Sequence, residues 1–284
     1  MIVTWKYKER GTAYQRLDSR ARLIFMLALL FAIIQVWDLR ILLLFLAAAL
    51  IQYRASRLTF GETRAFWTIM GVFITFITVV TFLTGRGGVG VFSDTHILWQ
   101  GGQGWLALTI SSERLAFAAS QFVRLGTMAL LVGVFPYTIH PARYGITFRS
   151  LGLRDTWAVA TDLAFRFVPN LAHDFSTTMD AQRARGYELE RAGGLIRALR
   201  NLAPLIVPVT IGAILKGEEL IDAMDLRAFN TGKRTWYHQL AYRLPDYMLL
   251  ALGLGTLATV TVLNFALPGF GDLWVPAWLS ALAR

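Results

Sequence analysis

Residues 65–83, AFWTIMGVFITFITVVTFL, run for nineteen positions without a charge. A helix needs about 20 apolar residues to cross the hydrocarbon core of a bilayer, and no water is available there to satisfy an irregular backbone. This stretch therefore demands a membrane-spanning helix. Further apolar runs occupy residues 23–37, 41–53, 115–135 and 248–267. The first two are shorter than a perpendicular span, and only Asp38, Leu39 and Arg40 separate them, which reads as a tight hairpin of two short helices. Residues 115–135 are broken only by Gln121 and Arg124. The expected fold is an all-α polytopic membrane protein with about five transmembrane helices. Charged residues make up 16% of the chain, against about 25% in a soluble domain.

Basic residues set the expected orientation, because loops rich in Lys and Arg stay on the cytoplasmic side. Lys6, Lys8, Arg10, Arg16, Arg20 and Arg22 precede the first run, and Arg54, Arg57 and Arg64 lie between the second and third. Fourteen more lie between Arg143 and Arg243. All three groups fall on one side, whereas the other side holds little beyond Arg40, Arg86 and Arg114. The N-terminus is expected in the cytoplasm and the C-terminus outside. The formal charge of +10 is then a property of the cytoplasmic face, and topology accounts for it without nucleic acid as a partner. The first 22 residues are too charged for a cleaved signal peptide, so they are expected to remain as a cytoplasmic segment. One membrane domain is expected over 1–284: helices in 23–135, a cytoplasmic region in 136–244, the last span in 245–267 and an outer tail in 268–284. Trp274 and Trp278 in that tail suit an interfacial anchor.

The region 136–244 carries helical periodicity rather than a soluble core. Asp155 is expected to cap a helix through TWAVATDLAFRF, with a kink at Pro169 and an end at Gly186. A second amphipathic helix is expected after Gly193 and Gly194, interrupted by Pro204 and Pro208 and running to residues 230–232. Each ends on a related tag, DAQRARGY at 180–187 and DAMDLRAF at 222–229. Within each tag Ala181 and Arg185, or Ala223 and Arg227, are four apart and share a face. A small residue permits close approach, an arginine can fork onto carboxylates or carbonyls, and the aromatic Tyr187 or Phe229 can anchor in an apolar pocket. Two readings are open: ordinary helix ends with Arg on the C-terminal dipole, or one docking element used twice on a partner that offers two copies of one groove.

Other chemistries find little support. No GxxxxGK[ST] stretch occurs, so ATP binding by a P-loop of this chain is not expected. GRGGVG at 85–90 follows a span and reads as a flexible loop rather than a dinucleotide site. His96, His140, His173 and His238 lack metal-ligand spacing, and His173 with Asp174 reads as a polar helix face rather than an acid–base pair. With no cysteine there is no thiolate site. An intramembrane enzyme would need convergent nucleophile and base residues. A stand-alone transporter or channel would need a polar path, and the spans are too apolar to line one. Arg124 is the one charge inside a long run, open to pairing with a carbonyl, to facing a partner subunit, or to snorkelling.

These features resemble the transmembrane T component of energy-coupling factor (ECF) transporters, ABC-type importers of vitamins and of cobalt or nickel ions. Ala184-Arg185-Gly186 matches the first of that family's two Ala-Arg-Gly motifs, and Leu226-Arg227-Ala228 matches the second at the arginine and its surroundings. QRLDSRARL at 15–23 is similar to the family's Leu-Asp-Pro-Arg-x-Lys-Leu segment, with Ser19 for Pro and Arg22 for Lys. LAFRFVP at 163–169 is similar to its Arg-Phe-x-Pro stretch. The resemblance covers residues from about 15 to about 265. It implies long cytoplasmic coupling helices within 136–244 and a location in the cytoplasmic membrane of a bacterium or archaeon. It also implies a non-catalytic subunit partnered by two ABC ATPases, which use the ATP and Mg, and by a small membrane S component that selects the cargo. On that basis Ala184, Arg185, Gly186, Leu226, Arg227 and Ala228 would dock the ATPases, supported by Ala181, Tyr187, Ala223 and Phe229. No cofactor or metal would be held by this chain.

Overall fold

The computed structural model describes residues 8–84, 96–101, 108–186, 195–229, 231–232, 240–267, 269–277 and 279. They fall into two compact units, one within Lys6–His140 and Ala241–Arg284, the other within Pro141–Leu240.

The first unit contains α1 (Ala13–Arg16), α2 (Ser19–Ile34), α3 (Leu39–Ala55), α4 (Phe60–Thr84), α5 (Ser112–Thr138) and the last helix, α9 (Leu244–Ala266). All five apolar runs are helical. Of these helices α4, α5 and α9 are long and apolar enough to cross a membrane. With 16 and 17 residues, α2 and α3 rise only about 24 and 26 Å. Each starts on an aspartate cap: Asp18 accepts the Arg20 N–H at 2.9 Å and Asp38 the Arg40 N–H at 2.8 Å.

Ala21, Phe25, Ala28, Leu29, Ala32 and Ile33 of α2 are all buried, which makes it the central helix, packed against α5 and α9. Gly253 allows α9 to approach, because a Cβ there would lie 2.9 Å from the Phe25 ring. The two helices run parallel. At their starts the Asp18 N–H donates to the Asp246 carboxylate at 2.7 Å, and beyond their ends the Trp37 N–H donates to the Gly271 carbonyl at 2.6 Å. By contrast α4 turns Ile69, Val72, Phe73 and Phe76 outward, and α9 does the same with Met248, Leu252 and Val262. A water-facing helix would bury such a set, whereas a bilayer solvates it.

The sequence reading missed a short antiparallel hairpin, β1 (Ile97–Gly101) with β2 (Leu108–Ser111), which leads into α5. Residues 85–90, expected as a loop, lie outside the described residues.

The second unit comprises a 3-10 turn (Pro141–Arg143), α6 (Tyr144–Ser150), α7 (Asp155–Ala184) and α8 (Leu195–Leu226). Tyr144 of α6 stacks on Phe165 of α7 with ring centroids 4.8 Å apart. Two expectations need correction. Asp155 does not cap α7: it is the first helical residue, the cap position belongs to Arg154, and the Asp155 carboxylate instead takes the Arg149 guanidinium. Likewise α8 is not interrupted at Pro204 and Pro208 but passes through both and stops at Leu226, short of residues 230–232. A proline removes one i→i−4 bond, which bends a helix rather than ending it when the turns on either side remain intact.

Candidate functional site

The two tags fold into the same local structure. At the end of α7, Arg185 occupies the C-cap and Gly186 follows with φ +82°, its N–H donating to the Arg183 carbonyl at 2.9 Å. At the end of α8, Arg227 follows the last helical residue and Ala228 takes φ +53°, its N–H donating to the Asp225 carbonyl at 2.9 Å. The Phe229 N–H then reaches back to the Met224 carbonyl at 2.9 Å. This is a left-handed helix stop with reverse bonds onto the last carbonyls, the arrangement that normally selects glycine. The alanine makes it at a steric cost of about 1–2 kcal/mol. Arg185 and Arg227 therefore hold equivalent positions, each just before the left-handed residue, although the sequences differ in five of the eight tag positions.

Both arginines are exposed, and neither forms an ion pair among the described residues. Asp180 instead lies 3.8 Å from Arg183, and Asp225 does not pair with Arg227. Ala181, Ala184 and Gly186 are exposed in the first tag; Tyr187 lies outside the described residues. In the second, Ala223 and Phe229 are half-buried, while Leu226 is 90% exposed, the largest exposure of any big apolar residue described. A leucine this exposed therefore stands next to a guanidinium with no ion-pair partner among the described residues.

The helices that carry the tags are tied to each other. Asp174 of α7 accepts from the Lys216 Nζ of α8 at 2.6 Å, so the Asp174 paired with His173 in the sequence serves a helix–helix bridge. Further up α7, Arg166 lies 3.2 Å from Asp162 one turn earlier, so the arginine of LAFRFVP is held by its own helix.

The QRLDSRARL segment builds a buried junction in the first unit. Asp18 caps α2 and pairs with Arg20 at 2.8 Å, and Arg20 lies over the Tyr242 ring at 4.0 Å. Arg22 is 1% exposed and donates to the Thr138 carbonyl at 3.2 Å. Nearby, Gln52 donates to the Tyr14 hydroxyl at 2.8 Å. Burial pushes the Tyr14 phenol up to about 12 against the lowering influence of Arg22 and Gln52, so the ring stays neutral. Sequence reasoning gave this segment as a resemblance; its structural work is to join the starts of α2 and α9 to the end of α5.

Arg124 takes the first of its three open roles. Its guanidinium donates to the Ile34 carbonyl at 2.6 Å and lies 4.0 Å from the Trp37 ring. The tail after α9 shows a related pairing, Arg40 over Trp274 at 3.7 Å, while Trp278 lies outside the described residues.

Comparison with known proteins gives the chain a family. The family model of CbiQ, described as cobalt transport protein, matches residues 11–237. The energy-coupling factor transporter transmembrane protein EcfT of Acidaminococcus fermentans is 25% identical over 284 residues, covering 94% of this chain and 98% of that protein. The protein of the same name from Bacillus selenitireducens is 28% identical, covering 93% and 97%, and that from Heliobacterium modesticaldum is 28% identical, covering 87% and 91%.

Proposed function

The chain belongs to the CbiQ family as a transmembrane component of the ECF transporter kind, and from that premise we propose that it couples two ATPase subunits to a substrate-capturing S component. The observation that carries the reading is the repeated helix stop, with Arg185 and Arg227 in one conformation at the ends of α7 and α8. Two equivalent elements in one chain suit two copies of one groove, each arginine forking onto acidic or carbonyl groups while Ala184 or Leu226 packs beside it. ATP and Mg belong to the ATPases. Nucleotide-driven movement of those subunits would shift α7 and α8 as a bridged pair, and the apolar spans would pass the motion to the S component. The cargo, a vitamin or a transition-metal ion, would be selected by that partner, leaving this chain non-catalytic and free of cofactor.

The test is retention of the ATPase pair on the tagged membrane subunit, with substrate uptake measured in the same cells and membrane insertion checked for each variant. Removing a buried charge-assisted contact costs about 2–5 kcal/mol. Arg185→Glu or Arg227→Glu alone should weaken retention, since one attachment persists, and the double change should release both ATPases. Arg185→Glu is expected to be the more damaging, because Gly186 allows closer approach than Ala228 and Asp225, where the first tag has Arg183, already offsets some of the charge of Arg227. Unchanged ATPase retention and uptake in the double variant would reduce both tags to ordinary helix ends.

A further inference from the structure

Within the first unit, α1 and the first turns of α9 enclose an open cavity of about 810 Å³ beside the end of α3. Its wall is apolar along Leu17, Met248, Leu249 and Leu252, and two guanidinium groups, Arg16 and Arg243, stand at its edge. Met248 and Leu252 lie one helical turn apart on one face of α9 and are 66% and 58% exposed, on a helix apolar enough to span the membrane. Both arginines are exposed, and neither has an ion-pair partner among the described residues. The carboxylate that also lines the cavity forms no ion pair with either guanidinium. Asp246 is 2% exposed and its oxygens are taken by the backbone N–H groups of Asp18 and Arg243, at 2.7 and 2.8 Å.

The floor is fixed in place. Tyr14 is clamped by Gln52 and packs with Leu58, Val134 and Tyr137, and Leu17 joins that cluster. The segment before α1 is pinned to α4 by Lys8 and Arg10, which bind Glu62 at 2.7 and 2.5 Å. Arg16 is thus presented from a braced turn.

We propose that this cavity is a binding site for one anionic phospholipid of the surrounding leaflet. Its phosphate would lie between Arg16 and Arg243, and the upper part of its acyl chains along Leu17, Met248 and Leu252. The charge pattern selects this occupant: two unpaired cations beside an apolar trench, at the level where a spanning helix begins, match an anionic headgroup with hydrocarbon attached. A soluble anion would leave the trench wet, and a zwitterionic lipid would bring its own cation against the two arginines. A lipid there would bridge the N-terminal segment and the start of α9. The proposal is independent of ATPase docking and uses none of the tag residues.

The experiment titrates the purified full chain in a nonionic detergent with dioleoylphosphatidylglycerol or dioleoylphosphatidylcholine, with bound lipid counted by native mass spectrometry. Each basic residue near an anionic membrane surface contributes roughly fivefold to binding, so phosphatidylglycerol should be preferred by about 25-fold, with one lipid per chain. The Arg16→Gln/Arg243→Gln variant should lose that preference, whereas Arg16→Lys/Arg243→Lys should keep most of it. Leu252→Trp, which fills the trench but spares the charges, should weaken phosphatidylglycerol binding. Glycerol 1-phosphate, added to the wild-type chain, should compete poorly. Equal binding of the two lipids, a preference surviving in the double glutamine variant, or competition by glycerol 1-phosphate as strong as by the whole lipid would each overturn the proposal. The wild-type arms need no variant to fold, and no ATPase is present in any of them.

Discussion

At the residue scale, the two tags differ most tellingly at one position, Gly186 against Ala228. Both take left-handed backbone angles, and among the described residues no atom outside the neighbouring residues lies within 4 Å of where a Cβ at Gly186 would stand. The cost of a side chain there is therefore conformational rather than steric crowding by the fold. Alanine in this region costs about 1–2 kcal/mol, while the chain entropy that glycine adds to the unfolded state costs about 0.4–1 kcal/mol. The first effect is the larger, so Ala228→Gly should stabilise the end of α8 by about 0.5–1 kcal/mol, and Gly186→Ala should destabilise the end of α7 by a similar amount. Amide hydrogen exchange checks this, with slower exchange expected at Phe229 in Ala228→Gly, since that N–H closes the stop onto the Met224 carbonyl. Faster exchange would mean that Ala228 is held by contacts stronger than its backbone preference. The repeat of Asp, Ala, Arg and an aromatic could be read in the sequence. The identity of the two conformations could not, because an alanine gives no local signal that its backbone will be left-handed.

At the scale of elements, all five apolar helices followed from run length and hydropathy, and both capping aspartates stand where a cap belongs. What escaped was governed by contacts that no single run of residues reveals. Asp155 looks like a cap, but Arg149 claims its carboxylate. The prolines of α8 look like stops, but the turns around them stay helical. The hairpin between α4 and α5 is built from four- and five-residue strands with an irregular register after Ile97, too short to stand out from the apolar spans on either side. Arg124 shows the same dependence, since its role is to close the end of α2 from α5, next to Trp37, which stacks on Phe117 at 5.0 Å. Arg124→Met keeps the bulk and the apolar stem but leaves the Ile34 carbonyl without its cation. A hydrogen bond from a charged group is worth about 1.5–3 kcal/mol, and polar contacts between membrane helices average somewhat less, so a loss of about 1–2 kcal/mol is expected. Arg124→Lys should recover only part of it, because an ammonium lacks the planar face that lies on Trp37. The melting temperature of the purified chain in detergent reads both. Equal stability of wild type and Arg124→Met would mean that this arginine faces something other than its own fold.

At the scale of the whole molecule, the parallel pairing of α2 with α9 joins residues 228 positions apart through Asp18 and Asp246, and no periodicity in the sequence announces it. It has a topological consequence. The segments before α2 and before α9 lie at one end of the first unit, and Arg40, Trp274 and Gly271 lie together at the other. An odd number of crossings must therefore separate the start of α2 from the end of α9. The fold alone is indifferent to which end faces the cytoplasm; charge decides. Among the described residues one end collects Arg16 and Arg20 before the first span, Arg54, Arg57 and Arg64 between α3 and α4 and Arg243 at the start of α9, whereas Arg40 and Arg114 belong to the other. Each cation near an anionic cytoplasmic leaflet is favoured by about 1 kcal/mol, so an inverted molecule would be disfavoured many times over. Because the chain has no cysteine, single changes Gly232→Cys and Arg284→Cys can be labelled with no background. A membrane-impermeant maleimide added to intact cells should modify position 284 and leave 232 untouched until the membrane is opened. Labelling of 232 alone would invert the molecule and remove the tags from any cytoplasmic ATPase. Labelling of both, or of neither until the membrane is opened, would put both ends of α9 on one side and sink the five-span reading.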